Sequence, residues 1–312
     1  MRTKGWRAMK VARRACWLAL CLSVITRAGA AQGTDTSITL HVGGRDRTYL
    51  VHAPSGQRGH TLPLVVLLHG HSGTGAGMVR LTSFNAIADR AQFLVAYPDG
   101  VERSWADGRG ITEADQQHVD DVAFFLALLD DIARRWPVDT TRVYAAGISN
   151  GGFMAERLAC DAQGRLAAIG VVAATLSDSL VARCRLPRPV SVMTMHGTED
   201  PLVPFEGGEV RGHRGRVQSA PSSAATWARW NHCTAAPTER AWPDTAGDGT
   251  LVSEDRYEGC TRGVAVVAFR ITGGGHTWPG GPQYLTVRLV GRASRNLAGS
   301  EALWEFCAAH AR

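Results

Sequence analysis

The amino-acid sequence predicts an α/β fold with a doubly wound, mostly parallel sheet in a single domain. The first observation is a series of short, wholly apolar segments, such as residues 63–69, that lack the polar alternation of a half-exposed strand. The second is that helix-like segments alternate with these strands along the chain. The third is that no linker, repeat or low-complexity tract interrupts the chain after about residue 35, so one domain over residues 32–312 is the simplest organisation.

Residues 1–31 are expected to form a signal peptide. This segment contains seven basic residues and no acidic residue, and its apolar stretch, residues 15–25, is followed by small residues at 28–31. A charged start, a short apolar run and an A-x-A site are typical of a cleavable export signal. The apolar run is short for a bilayer span, and an uncleaved anchor is the alternative. We therefore expect a secreted protein, extracellular or periplasmic, with no membrane association after cleavage.

The net charge gives no reason to expect a nucleic-acid partner. The whole chain has 34 Lys and Arg against 28 Asp and Glu, which gives a formal charge of +6. Removal of residues 1–31 leaves 27 basic against 28 acidic residues, because all seven charges of that segment are positive. Nucleic-acid binding requires clustered positive charge. The basic character therefore belongs to the signal peptide and not to the folded domain.

The predicted elements follow one another in an alternating order. Residues 37–42 and 47–52 form two short strands joined by a glycine-containing turn. The clearest helix, residues 120–136, has acidic residues at its start, two arginines at its end and Pro137 as its stop signal. The remaining strands are predicted at residues 63–69, 93–97, 143–146, 166–172, 190–196 and 264–271. The remaining helices are predicted at residues 78–90, from about 150, at 224–231 and at 301–309.

Five cysteines remain after removal of the predicted signal peptide. Export places them in an oxidising compartment, where disulfides form. The sequence-local pairing joins Cys160 to Cys184 and Cys233 to Cys260, and leaves Cys307 free in the last helix. Other connectivities stay open, because sequence alone does not fix disulfide pairing. No C-x-x-C or H-x-x-x-H spacing supports metal binding by these residues, so no metal site is expected.

The central motif is Gly147-Ile148-Ser149-Asn150-Gly151, which has the form G-x-S-x-G. It lies between a predicted strand and a predicted helix, which is the context of the nucleophile elbow of the α/β-hydrolase fold. The serine of such an elbow sits on a sharp turn that projects its hydroxyl above the sheet, and the glycines let strand and helix approach closely. The helix N-terminus favours the negative charge that develops during acyl transfer. Ser149 is therefore the predicted nucleophile.

Two further side chains are needed to activate a serine, namely a base and an acid that holds it. In this fold the acid follows the nucleophile in sequence and the histidine comes last. Asp200 lies in the loop at the C-terminal end of a predicted strand, where open α/β sheets place functional residues. Glu199 and Asp178 are the alternatives. His276 follows three glycines after the last predicted strand, and this position selects it among eleven histidines.

The oxyanion hole of this fold uses two backbone N–H groups. Asn150, the residue after the nucleophile, supplies one. The loop after the strand at 63–69 supplies the other, with His71 as the candidate and Ser72 as the alternative. Trp105 and Trp278 lie on loops near the predicted cleft and are candidates to line the acyl or aryl pocket, although burial in the core fits them equally well.

Several segments together resemble a known group of enzymes. These segments are 97–100 (YPDG), 104–105 (SW), 120–121 (DD), 147–152 (GISNGG), 196–201 (HGTEDP) and 274–280 (GGHTWPG). From about residue 37 to its end, the chain is similar to bacterial polyhydroxybutyrate depolymerase-like and feruloyl-esterase-like hydrolases. The resemblance implies a triad of Ser149, Asp200 and His276, no cofactor, and an ester as the partner. The chain departs from the group at His71, where a cysteine is common, and at Cys307, where an aromatic residue is expected.

The sequence therefore predicts a secreted serine carboxylic-ester hydrolase. The leading hypothesis is action on hydroxycinnamoyl or acetyl esters of plant polysaccharide. The second hypothesis is a depolymerase of polyhydroxybutyrate or other hydroxyalkanoate oligomers. The third, from another class, is a catalytically silent secreted binding protein that has kept the fold.

Overall fold

The computed structural model describes Met1, residues 33–56 and residues 59–312. The predicted signal peptide, apart from Met1, lies outside these described residues. From Gly33 onward the described residues form one compact unit. Within the described ranges no helix is both long and apolar enough to cross a bilayer.

The described part of the chain contains twelve strands and nine α-helices. The strands are β1 (Thr34–Val42), β2 (Arg45–Ala53), β3 (Leu62–Leu68), β4 (Leu94–Pro98), β5 (Val138–Ile148), β6 (Ala168–Val172), β7 (Ser191–Gly197), β8 (Gly208–Glu209), β9 (Arg216–Val217), β10 (Thr238–Ala241), β11 (Leu251–Tyr257) and β12 (Val266–Thr272). The helices are α1 (Gly75–Thr82), α2 (Phe84–Ala91), α3 (Glu113–Gln116), α4 (Asp121–Arg135), α5 (Asn150–Asp161), α6 (Asp178–Arg183), α7 (Ala220–Trp230), α8 (Val287–Val290) and α9 (Gly299–Ala308).

Ten of the described strands form one sheet in the order β1-β2-β4-β3-β5-β6-β7-β12-β11-β10. The six central strands from β4 to β12 are parallel, while β1 and β2 on one edge and β11 and β10 on the other are antiparallel. Strands β8 and β9 form a separate hairpin. This arrangement confirms the predicted α/β-hydrolase fold.

The core lies on both faces of the sheet because the central strands are apolar on both sides. In β3, Leu64 and Leu68 face one cluster of buried residues, whereas Val65 and Leu67 face the other. The first cluster is completed by residues of α4, α5 and α7, and the second by residues of α1, α2 and α9. Helices therefore cover both faces and leave the carboxyl ends of the strands as the place for a site.

Several elements differ from the sequence-based prediction, among them the short segments α3, α6, α8, β8 and β9, which were not predicted. The single helix expected at residues 78–90 is two helices, because Ser83 takes a left-handed conformation with φ of 53° and breaks the hydrogen-bond ladder. The edge strands β10 and β11 were not predicted, since β10 is exposed at all four positions and gives no apolar pattern. Beyond β12, the last parallel strand, the sheet continues into the antiparallel edge strands β11 and β10, whose side chains are mostly polar.

Two disulfides fasten the helical layer that contains α5, α6 and α7. Cys160 at the end of α5 pairs with Cys184 at the end of α6, and Cys233 after α7 pairs with Cys260 after β11. These are the two pairings predicted from the sequence. Cys307 is a free thiol, buried in α9, and burial raises the pKa of this thiol.

Candidate active site

Ser149 occupies the turn between β5 and α5 in a conformation that few side chains adopt. Its backbone has φ of 56° and ψ of −122°, a strained combination for a residue other than glycine. The flanking glycines make this turn possible. A Cβ atom on Gly147 would lie 2.4 Å from the backbone of Gly151, and one on Gly151 would lie 2.2 Å from the carbonyl oxygen of Leu68. The strained turn therefore has the form of a nucleophile elbow.

His276 and Asp200 are brought together over 76 residues of sequence. The His276 Nδ1–H donates to Asp200 Oδ2 at 2.8 Å. The other carboxylate oxygen, Asp200 Oδ1, accepts the backbone N–H groups of Leu202 and Val203 at 2.8 and 2.9 Å. Because the Asp200 side chain is fully buried and its oxygens are occupied, its orientation is fixed. This fixes the imidazole with Nε2 as its remaining nitrogen.

The glycines before His276 allow the backbone of this loop to pack closely against neighbouring segments. A Cβ atom on Gly275 would lie 2.1 Å from the carbonyl oxygen of Val290, and one on Gly274 would lie 2.5 Å from the side chain of Ile271. The backbone of His276 donates to Val290 O at 2.5 Å and its carbonyl accepts the Tyr284 hydroxyl at 2.8 Å. The loop is thereby held on both sides, which limits the motion of the imidazole.

A second histidine, His196 at the end of β7, also lies next to Asp200. Its Nε2 is 3.5 Å from Asp200 Oδ2 and donates to the carbonyl of Val203 at 2.9 Å. Burial lowers the pKa of His196, so the ring is neutral there. Sequence reasoning missed this residue because it belongs to an apolar strand. Glu199, the alternative to Asp200, is exposed, and so is Asp178.

A cleft at the carboxyl ends of the strands passes over Ser149 and has two lobes. Four residues line both lobes and form the passage between them: His71, Ser149, Leu202 and Arg214. His276 lines only one of the lobes, whereas Asn150 lines only the other. Ser149 is therefore reached from two sides that differ in their surroundings.

The lobe that contains His276, called the large lobe, has a volume of about 570 Å³. Its apolar walls are formed by Met78, Leu81, Ile148, Leu285 and Val290. Tyr284 and Leu285 on its rim are 42% and 48% exposed, so the apolar wall continues to the surface of the protein. The large lobe is thus wide, mainly apolar and open.

The lobe on the other side of Ser149, called the small lobe, has a volume of about 90 Å³. Its walls are formed by Arg109, Ile111, Phe153 and Val210, with Thr112 and Glu113 beside them. The Arg109 guanidinium lies 3.8 Å above the centre of the Phe153 ring. Guanidinium and ring together form part of the wall of the small lobe.

The loop after β3 offers backbone donors near Ser149. The N–H of Ser72 is already bonded to the carbonyl of Arg103 at 2.8 Å, which removes it as the alternative oxyanion donor. His71 lies in the passage, and its Nε2 bonds to Glu113 at 2.9 Å. A bond from the backbone N–H of Glu113 and the bond to His71 lower the pKa of this carboxyl. The His71 side chain is thus held by an ionised carboxylate.

His69, at the other end of the same loop, maintains the loop shape. Its Nδ1 donates to the carbonyl of Gly70 at 2.8 Å and its Nε2 accepts the N–H of Gly100 at 2.9 Å. Burial lowers the pKa of His69, in keeping with a neutral ring that both donates and accepts. Both ring nitrogens are therefore used by the backbone.

The side chain of Asn150 links the start of α5 to the loop around residue 105. Its Oδ1 accepts the N–H of Trp105 at 2.8 Å, while its Nδ2 donates to the carbonyl of Trp105 at 3.0 Å and to Asp107 Oδ2 at 2.7 Å. Asp107 in turn forms a buried ion pair with Arg109 at 2.6 Å. Asn150 is 2% exposed, and the three hydrogen bonds of its buried side chain hold the position of its backbone N–H.

The two candidate pocket tryptophans are both in the core, which corrects that expectation. Trp278 is fully buried, and its indole N–H donates to Ser300 Oγ at 2.9 Å. Trp105 is 1% exposed, and its indole N–H donates to the carbonyl of His69 at 2.9 Å. Each ring buries a large apolar surface and still finds an acceptor, which favours the core over the pocket wall. Trp105 contributes to the site only by holding its loops.

Comparison with known proteins gives the family. The family model described as "Esterase PHB depolymerase" matches residues 47–202. NocK of Nocardia uniformis subsp. tsuyamanensis, provisionally named an esterase, is 32% identical over 293 residues, which is 90% of this chain and 85% of that protein.

The chain belongs to the esterase PHB depolymerase family.

Other relatives of this esterase are named for ester hydrolysis. Feruloyl esterase B of Piromyces equi is 31% identical over 74% of this chain, and the chain spans 42% of that longer protein. Feruloyl esterase C of Emericella nidulans is 29% identical, over 78% of this chain and 81% of the relative. The acetyl xylan esterase of Aspergillus awamori superposes with a TM-score of 0.55 at 14% identity, over 78% of this chain and 94% of that one, and so shares the fold. These findings confirm the resemblance inferred from the motifs: the protein is a carboxylesterase of this family.

Proposed function

We propose that this esterase hydrolyses hydroxycinnamoyl or acetyl esters of plant polysaccharide through Ser149, His276 and Asp200. The observation that carries the proposal is the buried 2.8 Å bond between His276 and Asp200, together with a cavity that His276 shares with Ser149. The feruloyl esterases among its relatives support the substrate class.

In the first step the Ser149 hydroxyl attacks the ester carbonyl. The bond from Oγ to the carbonyl carbon forms while His276 Nε2 takes the hydroxyl proton, and Asp200 stabilises the resulting imidazolium. The bond from carbon to the alkoxy oxygen then breaks, and the imidazolium returns the proton to the departing alcohol. Water repeats the sequence on the acyl-enzyme and releases the acid.

The negative oxygen of the tetrahedral intermediate is proposed to bind the backbone N–H groups of Asn150 and His71. Asn150 is the first residue of α5, so its N–H has no partner within the helix and the helix dipole adds positive potential. Ser72 is excluded as a donor because its N–H is bonded to Arg103. A loss of one such donor costs about 10²–10³ in kcat.

The protein is proposed to act outside the cytoplasm. The basic and apolar pattern of residues 1–31 supports export, and two disulfides are typical of proteins in an oxidising compartment.

A second candidate substrate class is the hydroxybutyrate oligomer. It is favoured by the family model and by the apolar wall of the large lobe, which suits a polyester chain.

The test uses hydrolysis of p-nitrophenyl acetate, methyl ferulate, acetylated xylan and hydroxybutyrate oligomers. Ser149→Ala is expected to abolish turnover and labelling by a fluorophosphonate probe, while Ser72→Ala, in the neighbouring loop, retains both. Asp200→Asn is expected to lower kcat by about 10³–10⁴, whereas Glu199→Gln, on the exposed neighbour, leaves it unchanged. Normal turnover by Ser149→Ala would refute the role of Ser149. A wild-type protein that neither hydrolyses these esters nor reacts with the probe would refute the proposal and favour a silent binding protein.

A further inference from the structure

The two lobes of the cleft differ about sixfold in volume, and Ser149 lies between them. In acyl transfer the imidazolium must hand its proton to the alkoxy oxygen, so the alcohol leaves on the side of the histidine. His276 lines only the large lobe. The acyl chain, on the opposite side of the carbonyl carbon, then points into the small lobe. This assignment rests on the proposed function of Ser149 and His276.

We propose that the small lobe is the acyl site and restricts the enzyme to short acyl groups, and that Ile111 is a specificity-determining residue of its wall. A volume of about 90 Å³ is smaller than the roughly 150 Å³ of an engineered protein cavity that binds benzene. An acetyl or butyryl group fits such a space. A hydroxycinnamoyl group, which carries an aromatic ring on an extended linker, exceeds it.

The wall that Arg109 forms in the small lobe is held in place. Arg109 is fixed by its ion pair with Asp107, by its stacking on Phe153 and by donation from its Nη1 to the carbonyl of Arg214 at 2.9 Å. The Arg109 and Asp107 side chains are 5% and 0% exposed, and neither can swing into solvent without separating a buried ion pair. A longer acyl chain therefore cannot lengthen the lobe by displacing this wall.

The wall that Ile111 forms in the small lobe is less constrained, because this side chain is only half-buried. Truncation of this side chain opens the small lobe towards solvent and leaves the buried ion pair intact. A half-buried aliphatic side chain on a loop also tolerates substitution better than a core residue does. Ile111 is thus the position at which acyl selectivity is expected to change without loss of the fold.

The large lobe takes the alcohol. Its volume of about 570 Å³ and its apolar walls accommodate a bulky alcohol portion. Leu81 is the matched position there, since it is also a half-buried aliphatic residue that lines a lobe, but on the side of His276. The predicted substrates are therefore esters of short acids with bulky alcohols, so that acetyl esters are favoured over hydroxycinnamoyl esters.

The test combines two ester series with three variants at two positions. The acyl series is p-nitrophenyl acetate, butyrate and octanoate, and the alcohol series is methyl, p-nitrophenyl and 2-naphthyl acetate. The wild type is expected to have a higher kcat/KM for the acetate than for the octanoate. Ile111→Ala is expected to raise the ratio of octanoate to acetate at least about tenfold, and Ile111→Trp to lower the ratio of butyrate to acetate. Leu81→Ala should leave the acyl ratios within about twofold of wild type and change the alcohol ratios instead.

The outcomes separate this inference from the proposed function. A wild-type enzyme that hydrolyses these esters but prefers octanoate, or acyl ratios that respond to Leu81→Ala and not to Ile111→Ala, would overturn the lobe assignment alone. Absence of turnover on every ester would overturn the proposed function, and the lobe assignment with it.

Discussion

The carboxyl group of Glu156 is expected to make the stability of this enzyme fall as the pH rises towards neutrality. Glu156 lies on α5 and is fully buried. Its Oε1 accepts the Trp227 indole N–H at 3.3 Å, and its Oε2 has no hydrogen-bond partner among the described residues. Burial, which disfavours the charged form, raises the pKa of Glu156 from 4.5 to about 8, although the Trp227 bond and the nearby Arg109 act in the opposite direction.

The sign of the effect follows from proton release in the two states. Below pH 4.5 this carboxyl is protonated in both the folded and the unfolded chain, and its contribution to the unfolding free energy is constant. Between pH 4.5 and 8 the unfolded chain releases a proton that the folded chain keeps. The unfolding free energy therefore falls by about 1.4 kcal/mol for each pH unit in this window, and by about 3 kcal/mol from pH 5 to pH 7.

The substitution that removes this effect is Glu156→Gln. The amide oxygen can still accept from Trp227, and the side chain has the size of the protonated acid but does not titrate. The variant is expected to match the wild type at pH 5 and to exceed its unfolding free energy at pH 7 by about 3 kcal/mol. Urea unfolding with disulfides intact, followed by tryptophan fluorescence at pH 5, 6 and 7, measures the difference.

The matched control is Glu254→Gln. Glu254 also accepts an indole N–H, from Trp242, but its other oxygen is bonded to Arg256. This variant controls for the loss of a carboxylate next to an indole, and it is expected to keep the wild-type pH dependence. If Glu156→Gln and the wild type lost the same unfolding free energy between pH 5 and pH 7, the assignment of the effect to this carboxyl would be wrong.

Three further changes test the local structure. Ser149→Gly is expected to be about 1 kcal/mol more stable than Ser149→Ala, and so to melt at a higher temperature, because glycine adopts the backbone angles at this position without strain. Equal melting temperatures of the two variants would contradict the strained turn. Replacement of both Cys160 and Cys184 by Ala is expected to cost about 3 kcal/mol, given a sequence separation of 24 residues, and a melting curve unaffected by this change would show that the disulfide does not limit stability. Asp107→Asn is expected to lower the unfolding free energy by about 3 kcal/mol in urea titrations, because it leaves the buried Arg109 without its carboxylate; an unchanged midpoint would mean that the other contacts of Arg109 suffice.

The fold could be predicted from the sequence where the pattern is local. The apolar runs that became β3, β4 and β7 are buried at every position, and such runs identify the central strands of a parallel sheet. The break at Ser83 could not be predicted, because no glycine or proline marks the left-handed conformation there. The edge strands β10 and β11 gave too little apolar signal.

The residues of the candidate site could likewise be predicted only where their sequence signal is local. The residues of the proposed triad could be singled out because each lies at a fixed place relative to a strand end, and the structure places Asp200 and His276 in contact. The pocket residues were not found, because a loop tryptophan can turn either inward or outward with the same local sequence. Arg109 gave no signal at all, since its importance depends on a carbonyl 105 residues away.

Asn150 connects the turn of Ser149, the proposed nucleophile, to the walls of the small lobe. Its side chain holds Asp107, Asp107 holds Arg109, and Arg109 holds the carbonyl of Arg214 in the segment between β8 and β9. Each of these side chains forms a hydrogen bond with the next residue of the series. The Asn150, Asp107 and Arg109 side chains are buried, so water has little access to replace those bonds. The proposed oxyanion donor and the proposed acyl site are therefore linked by one network. A change in Ile111, which lies outside that network, can alter the acyl site without moving the nucleophile, whereas a change in Arg109 is expected to alter both.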